Sequence, residues 1–291
     1  MRFTITASSS ALFSTWIFIE ELGLLFDAGD GLCAALATKA RKIRHAFITH
    51  ADRDHMAGLL QFNQLNARDG QPVIHYPKDC GSFPALRDFV RQFDPQSGPA
   101  TWNALDEGDE IAIDDSHSVL ALRSEHVELP GSPVKALRYI VRHKKRVLRP
   151  EHIGLKGSAI ARLRKEQGED AVTQERIESL LGYSGDAPRL DPASWMGVKL
   201  LLHECTFLQP DTARRPHANL PEVLAAAAAL ELEALILLHF STRYDASEIT
   251  QAIAREARTH GLRFPVYAIL PGATTPDVLA GEPVWKGSGE D

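Results

Sequence analysis

The sequence is poor in cysteine: Cys33, Cys80 and Cys205 lie far apart, with no C-x-x-C spacing. A sparse, odd set argues against a disulfide framework and favours a reducing compartment. The chain also lacks an apolar run long enough to span a membrane, and no small-residue cleavage site precedes Glu20. We therefore predict a cytoplasmic protein that has no membrane partner.

An excess of basic charge is absent as well. The formal net charge of −6 excludes a general attraction to nucleic acid. The exception is segment 142–165, where nine Lys or Arg residues accompany one acid, Glu151. This segment predicts either a solvated loop and helix face or a contact surface for phosphates. It lacks aromatic residues for base stacking, which weakens the prediction of single-strand binding.

The length of 291 residues is near the upper limit for one hydrophobic core, and 44% hydrophobic residues is ordinary for a globular protein. Apolar strand-like runs alternate with helical patterns, which indicates an α/β fold. We predict a single domain over 1–291, built from two similar halves at roughly 1–130 and 131–280. Within the second half, the pattern from Val172 to Leu181 predicts a helix.

The richest stretch of the chain follows the apolar run Ala46–Ile48. Four potential metal ligands occur within six residues there, and Gly58 then leads into a predicted helix. They are His50, Asp52, Asp54 and His55. A turn at the end of a buried strand is where an α/β protein places its chemistry, so we predict a metal site at this turn.

Other segment ends supply further ligand types. His126 and His239 each follow an apolar strand, and Asp186 follows the turn Ser184–Gly185. Imidazole and carboxylate together suit zinc, manganese or iron. Two metal ions about 3.5–4 Å apart can share a hydroxide and clamp a phosphoryl group. Asp27 and Asp30 suit either turn and cap chemistry or support of the metal turn.

These residues resemble the metallo-β-lactamase superfamily and, within it, ribonuclease Z, the tRNA 3′-end endonuclease. The resemblance rests on motifs between residues 22 and 244: Leu24 to Gly31, Thr49 to Gly58, His126, Ser184 to Asp186, Leu202 to Phe207 (matching H-E-A-T-F), His217-Ala218 (where the family has H-S-T) and His239 to Tyr244. The resemblance implies an αββα sandwich of two mixed β-sheets flanked by helices.

The resemblance also implies roles for individual residues. His50 and His126 would hold the first metal ion, His55, Asp54 and His239 the second, and Asp186 would bridge the two. Asp54, Glu204 and His217 are the implied catalytic residues: a metal-bound hydroxide would attack phosphorus, while Glu204 and His217 would relay a proton to the leaving oxygen. The implied substrate is a tRNA precursor, and the family also implies a homodimer.

Two departures from the family pattern keep alternatives open. Asp52 stands where the family has a second histidine. Two zinc ions are predicted, and three outcomes stay open at this position: a carboxylate ligand that favours manganese or iron, a weakened first site, or one metal ion only. A long Gly/Pro-rich arm is not evident. The alternatives are a hydrolase of a small substrate (a cyclic nucleotide, another phosphodiester or a lactone) and a metal-poor, non-catalytic binding protein.

Overall fold

The protein is described by a computed structural model that covers residues 3–93, 98–127, 129–210 and 217–288. Two mixed β-sheets form its centre. The first sheet has six strands in sequential order: β1 (Ile5–Ser10), β2 (Ser14–Ile19), β3 (Leu24–Phe26), β4 (His45–Phe47), β5 (Val73–Pro77) and β6 (Thr101–Leu105). The pairs from β1 to β3 are antiparallel, whereas those from β3 to β6 are parallel.

The second sheet repeats this plan with seven strands. They are β7 (Glu110–Ala112), β8 (His117–Arg123), β9 (Leu137–Leu148), β10 (Thr173–Tyr183), β11 (Val198–Glu204), β12 (Ala234–Leu238) and β13 (Val266–Ala268). The pairs from β7 to β10 are antiparallel and those from β10 to β13 are parallel. The sheets change between residues 105 and 110, ahead of the predicted division at 130. The division into two halves stays a prediction.

Helices connect many of the strands. They are α1 (Leu32–Leu36), α2 (Arg53–Met56), α3 (Leu59–Asn66), α4 (Ser82–Phe93), α5 (Gly157–Gln167), α6 (Glu169–Val172), α7 (Leu220–Ala227) and α8 (Ala246–Thr259). Short 3-10 turns occupy Glu20–Leu22, Ala37–Lys42, Pro150–His152, Pro192–Trp195 and Val278–Ala280. In the described part of the chain, no helix combines the length and apolar character needed to cross a membrane.

Three apolar clusters hold these layers together. Between the sheets, Phe26, Phe47, Tyr139 and Tyr183 are fully buried and their rings contact one another. The outer face of the first sheet packs on α1, α3 and α4, and that of the second sheet on α7 and α8. Burying one large apolar side chain contributes roughly 1.5–3 kcal/mol, so the layering follows from the apolar strands. The prediction of two mixed sheets flanked by helices is confirmed.

The prediction of a helix from Val172 to Leu181 is wrong. Residues Thr173–Tyr183 form β10, which pairs along its length with β9. The outer part of this strand is polar and exposed, with Gln174, Glu175 and Arg176 in succession, so it shows no strand-like alternation. Its partner lies in β9, and that non-local pairing overrides the local pattern. The two long strands, with α5 and α6 at their far end, form an arm over residues 142–178.

Candidate metal centre

The predicted ligands converge at one edge, where strands of both sheets end. The first group comprises His50, Asp52 and His126, whose ligand atoms lie within 4.8 Å of one another. Asp52 Oδ2 is 3.6 Å from His50 Nε2 and 3.8 Å from His126 Nε2. The structure therefore places Asp52 beside the two histidines that the resemblance assigns to the first metal ion.

The second group lies next to the first and comprises Asp54, His55 and His239. His239 Nε2 is 3.3 Å from Asp54 Oδ2 and 3.4 Å from His55 Nε2. All three side chains are buried. The residues predicted for the second metal ion thus form a compact set of two imidazoles and one carboxylate.

Asp186 stands between the groups and gives one oxygen to each. Its Oδ2 is 3.7 Å from His50 Nε2 and 3.9 Å from His126 Nε2. Its Oδ1 is 3.2 Å from His55 Nε2 and 3.4 Å from His239 Nε2. This is the arrangement expected of a carboxylate that bridges two metal ions.

The chemistry of this donor set fits divalent metal ions. His50 Nε2 and Asp186 Oδ1 are buried atoms without a hydrogen-bond partner, and a buried polar atom left unpaired is costly. Burial lowers the pKa of His50, which favours the neutral imidazole that metals bind. Burial alone would raise the pKa of Asp186, but the imidazoles of His239 and His55 hold it well below its usual range. Asp186 is therefore an ionised carboxylate.

Two glycines explain how the turn after β4 folds so tightly. The N–H of Gly58 donates to the carbonyl of Ala28 at 2.8 Å, so the two backbones are in direct contact. A Cβ at Gly58 would lie 2.2 Å from the Gly29 carbonyl, and one at Gly29 would lie 2.4 Å from the Asp54 carbonyl. Only glycine fits such a contact, which pins α2 and its Asp54–His55 pair against the end of β3.

Asp27, at the end of β3, anchors two candidate ligands from behind. Its carboxylate accepts the Thr49 hydroxyl at 2.9 Å and lies 2.8 Å from His55 Nδ1. Thr49 Oγ1 in turn lies 2.9 Å from His50 Nδ1. Since the Thr49 hydrogen goes to the carboxylate, we assign N–H to Nδ1 of both histidines. Their Nε2 atoms then face the metal groups, as metal-ligating histidines require.

Glu204, at the end of β11, does the same in the second sheet. Its Oε2 accepts the Thr206 hydroxyl at 2.6 Å, and Thr206 Oγ1 lies 2.9 Å from His239 Nδ1. Its Oε1 lies 3.0 Å from His217 Nδ1. By the same argument, Nδ1 of His239 and His217 carries the hydrogen. The sequence prediction paired Glu204 with His217; the link through Thr206 to His239 is an addition from the structure.

His217 differs from the other site histidines in its surroundings. Its side chain is 17% exposed, and its Nδ1 lies 3.7 Å from Asp186 Oδ2. Burial alone would lower its pKa, but the hydrogen bond to Glu204 raises it to about 8. His217 is therefore largely protonated at neutral pH and reaches solvent beside Asp186.

Asp52 is the least enclosed of the candidate ligands, with 63% of its side chain exposed. The imidazoles of His126 and His50 hold the pKa of its carboxyl well below the usual range. Beside it opens a cavity of about 200 Å³, whose polar lining includes Ser82 and Lys135. The departure from the family histidine thus leaves an ionised carboxylate at the mouth of the first group.

The sequence left the role of Asp27 open between turn chemistry and support of the metal turn, and its bonds to Thr49 and His55 favour the second. A contributor that the sequence did not single out is Tyr183 of the other sheet, whose hydroxyl donates to Asp27 at 2.5 Å. Backbone strain gives a further signal that only coordinates show. Asp27 (φ 53°) and His239 (φ 63°) both have left-handed backbones, which are rare outside glycine and concentrate at functional sites.

The basic segment 142–165 lies in the arm, away from the metal groups. Many of its cations face acids that follow it in the sequence: Lys144 pairs with Glu175, Lys145 with Glu178, Arg146 with Asp170, Arg162 with Glu166 and Arg164 with Glu169. These ion pairs are largely exposed and individually weak. They nevertheless reduce the charge that the segment offers to a phosphate chain.

Comparisons with known proteins agree with this geometry. No protein-family model matches the sequence. The ribonuclease Z of Methanothermobacter thermautotrophicus is 28% identical over 288 residues, which cover 88% of this chain and 87% of the relative. Among solved structures, the metallo-beta-lactamase fold protein YhfI from Bacillus subtilis has a TM-score of 0.62 at 16% identity and covers 94% of this chain and 100% of its own.

A second solved structure, the short form of human tRNase Z (ELAC1), has a TM-score of 0.56 at 18% identity and covers 93% of this chain and 98% of its own. The structural likeness shows that the chain has the metallo-β-lactamase fold. In sequence, the chain is similar to ribonuclease Z over most of its length.

Proposed function

We propose that the protein is a metal-dependent phosphodiesterase of ribonuclease Z type, which cuts a tRNA precursor, and that its two ligand groups hold two zinc ions. The observation that carries the proposal is the position of Asp186. Each of its oxygens faces a different histidine group, and His217 lies beside it. A phosphodiester between the groups would meet two Lewis-acidic positions and one proton donor.

The first ion would be held by His50, Asp52 and His126, and the second by Asp54, His55 and His239, with Asp186 shared. Bound there, the ions would polarise the phosphoryl oxygens and supply an acidified water as nucleophile. Asp27 and Glu204 hold the imidazoles in the tautomers that expose Nε2. The Nε2 atoms are therefore oriented for metal binding before an ion is bound.

His217 serves as the proton donor to the leaving oxygen. Glu204 holds Nδ1–H of the imidazolium, so the proton on Nε2 is the one available for transfer. The ion pair with Glu204 keeps the ring protonated near neutral pH, where a general acid is most effective. Asp54 would take part as a ligand of the second ion: its Oδ2 accepts the Leu12 backbone N–H at 2.9 Å, which holds it beside His239.

The test combines metal content with turnover of the purified, metal-supplemented protein on a tRNA precursor, bis(p-nitrophenyl) phosphate and a lactone. We expect bound metal and cleavage of both phosphodiesters. Cleavage of the small phosphodiester without the RNA would overturn the tRNA substrate. Absence of bound metal and of turnover, with either zinc or manganese, would favour a non-catalytic binding protein.

A second candidate is a hydrolase of a small substrate such as a cyclic nucleotide, another phosphodiester or a lactone. Two observations favour it. The cavity of about 200 Å³ beside Asp52 is sized for a small group, and the arm cations are largely paired with acids. In the same assay, preferred turnover of a small substrate would support it.

Three further expectations accompany the proposal. The exposed carboxylate of Asp52 is a harder ligand than imidazole, so manganese or iron is the alternative to zinc in the first group. A homodimer is implied by the ribonuclease Z resemblance and stays a prediction. A cytoplasmic location, argued from the sparse cysteines, also stays a prediction; all three cysteines are buried and free.

A further inference from the structure

The tip of the β1–β2 hairpin, residues 10–14, borders the metal centre and presents two large apolar side chains to solvent. Leu12 is 81% exposed and Phe13 is 64% exposed. Of the aromatic side chains whose burial the structure describes, Phe13 is the most exposed. Scattered exposed apolar residues are common, so exposure alone assigns nothing to this tip.

The tip is fixed to the centre by its backbone. Leu12 N–H donates to Asp54 Oδ2 at 2.9 Å, and Ala11 N–H donates to the carbonyl of Phe240, next to His239, at 3.2 Å. On the other side, Ser14 Oγ donates to the carbonyl of Asp30 at 2.7 Å. The hairpin tip is therefore tied to both loops that carry the second ligand group.

Leu12 also has a left-handed backbone, with φ of 70°. A non-glycine residue in this region is strained and persists only when its surroundings impose it. Here the bond to Asp54 is that constraint. Phe13 directly follows Leu12, so its Cα lies about 3.8 Å from the Cα of a residue whose N–H is bonded to the candidate metal ligand Asp54.

An exposed aromatic side chain on a hairpin tip that is fixed beside a phosphodiester-cleaving centre suits one group in particular. In a polynucleotide, the groups that flank the phosphate are sugars and bases, and every base has a π face that stacks on an aromatic ring. We propose that Phe13 stacks on the nucleobase flanking the scissile phosphodiester and thereby positions the RNA. This inference rests on the proposed phosphodiesterase function and adds a residue that determines its preference for nucleotides.

The experiment is a double-mutant cycle with the metal-supplemented full-length protein. Wild type and Phe13→Leu are compared on an RNA substrate and on the same RNA with an abasic nucleotide next to the scissile phosphate, on either side in turn. Leucine keeps the apolar bulk but removes the π face. Phe13→Tyr is the rescue variant, and Phe89→Leu, at a 51% exposed phenylalanine on α4, is the matched surface control.

We expect Phe13→Leu to lower kcat/KM for the intact RNA by about 10- to 100-fold, the usual weight of one stacked base, mainly through KM. On the RNA that lacks the stacked base, the same substitution should have little further effect. Phe13→Tyr should restore the wild-type value, and Phe89→Leu should match wild type throughout.

Equal losses on the intact and both abasic RNAs, or no loss on any, would overturn the stacking inference while leaving the phosphodiesterase in place. A wild-type protein that cleaves the small phosphodiester but no RNA would overturn the RNA substrate, and the inference with it. The two failures are thus distinguishable by whether wild type cleaves RNA.

Discussion

In each sheet, one carboxylate holds two histidines of the metal centre by hydrogen bonds, a device that the two sheets use differently. In the first sheet, Asp27 bonds one histidine directly and a second through Thr49. In the second sheet, Glu204 bonds His217 directly and His239 through Thr206. The two histidines that Asp27 holds, His50 and His55, are buried and face the metal groups. In contrast, His217, which Glu204 holds, reaches solvent.

The difference distinguishes two tasks of a buried carboxylate: fixing a histidine as a metal ligand and supporting a histidine that donates a proton. A buried carboxylate can fix an imidazole as a ligand, or it can raise the pKa of an imidazole that donates a proton. Under the proposed mechanism Glu204 would do both, because His239 belongs to the second ligand group and His217 is the proposed proton donor. Substitutions in the two devices should therefore have unequal effects on metal affinity and on turnover.

The largest expected effect is on turnover in His217→Ala. Removing the general acid should slow phosphodiester cleavage by about 10²- to 10⁴-fold, while the metal content stays unchanged. Steady-state rates and metal analysis of the same sample check this. Loss of the metal ions in His217→Ala would show that His217 is a ligand and that the proton-relay role is wrong.

Asp27→Asn should act mainly on metal binding. Without the carboxylate, His55 and His50 lose the partner that fixes their tautomers, and metal affinity should fall by about 10- to 100-fold. Chelator competition measures this affinity. Glu204→Gln is the matched variant: it should cost less affinity, since only His239 depends on it among the candidate ligands, but more turnover. Equal affinity losses would remove the distinction between the two devices.

A smaller effect is expected from the threonines that link each carboxylate to its second histidine. Thr49→Val and Thr206→Val each remove one hydrogen bond to a histidine, so each should lower metal affinity by about tenfold or less. Thr49→Ser and Thr206→Ser should restore it by restoring the hydroxyl. If valine and serine variants bind metal equally well, the hydroxyl bridges do not orient His50 and His239.

The smallest effect is expected at Asp52. Asp52→His should tighten zinc binding in the first group and so raise the zinc occupancy that survives dialysis, because imidazole is a better zinc ligand than an exposed carboxylate. Asp52→Asn, of the same shape but without charge, should lower occupancy. Metal analysis after dialysis measures both. Unchanged occupancy in the two variants would place Asp52 outside the ligand set.

The sequence predicted the parts of the fold that local pattern controls. Buried strands such as Val198–Glu204 are near-continuous apolar runs, and the ligand residues follow directly at their ends. The family and the metal-dependent hydrolase class predicted from these motifs are supported by the relatives and the fold. The geometry brings the predicted ligands together, and the substitutions above test which of them bind metal.

Other features depended on contacts between distant segments. β10 resembled a helix, because its exposed outer half has no buried face and its pairing with β9 is invisible locally. The support of Asp54 by Leu12 joins residues 42 positions apart, and the Tyr183–Asp27 bond joins residues 156 apart. Such long-range hydrogen bonds leave no periodic trace in a single sequence.

The division of Asp186 between two groups has a thermodynamic consequence. His50 and His55 follow β4 of the first sheet, while Asp186 and His239 follow β10 and β12 of the second, so any ion bound between them cross-links the two sheets. Since only the folded chain assembles these donors, the free energy of unfolding should rise by about 1.4 kcal/mol per bound ion for each tenfold increase in free metal above the dissociation constant. Metal supply would then set the fraction of chains that stays folded as well as the rate of turnover.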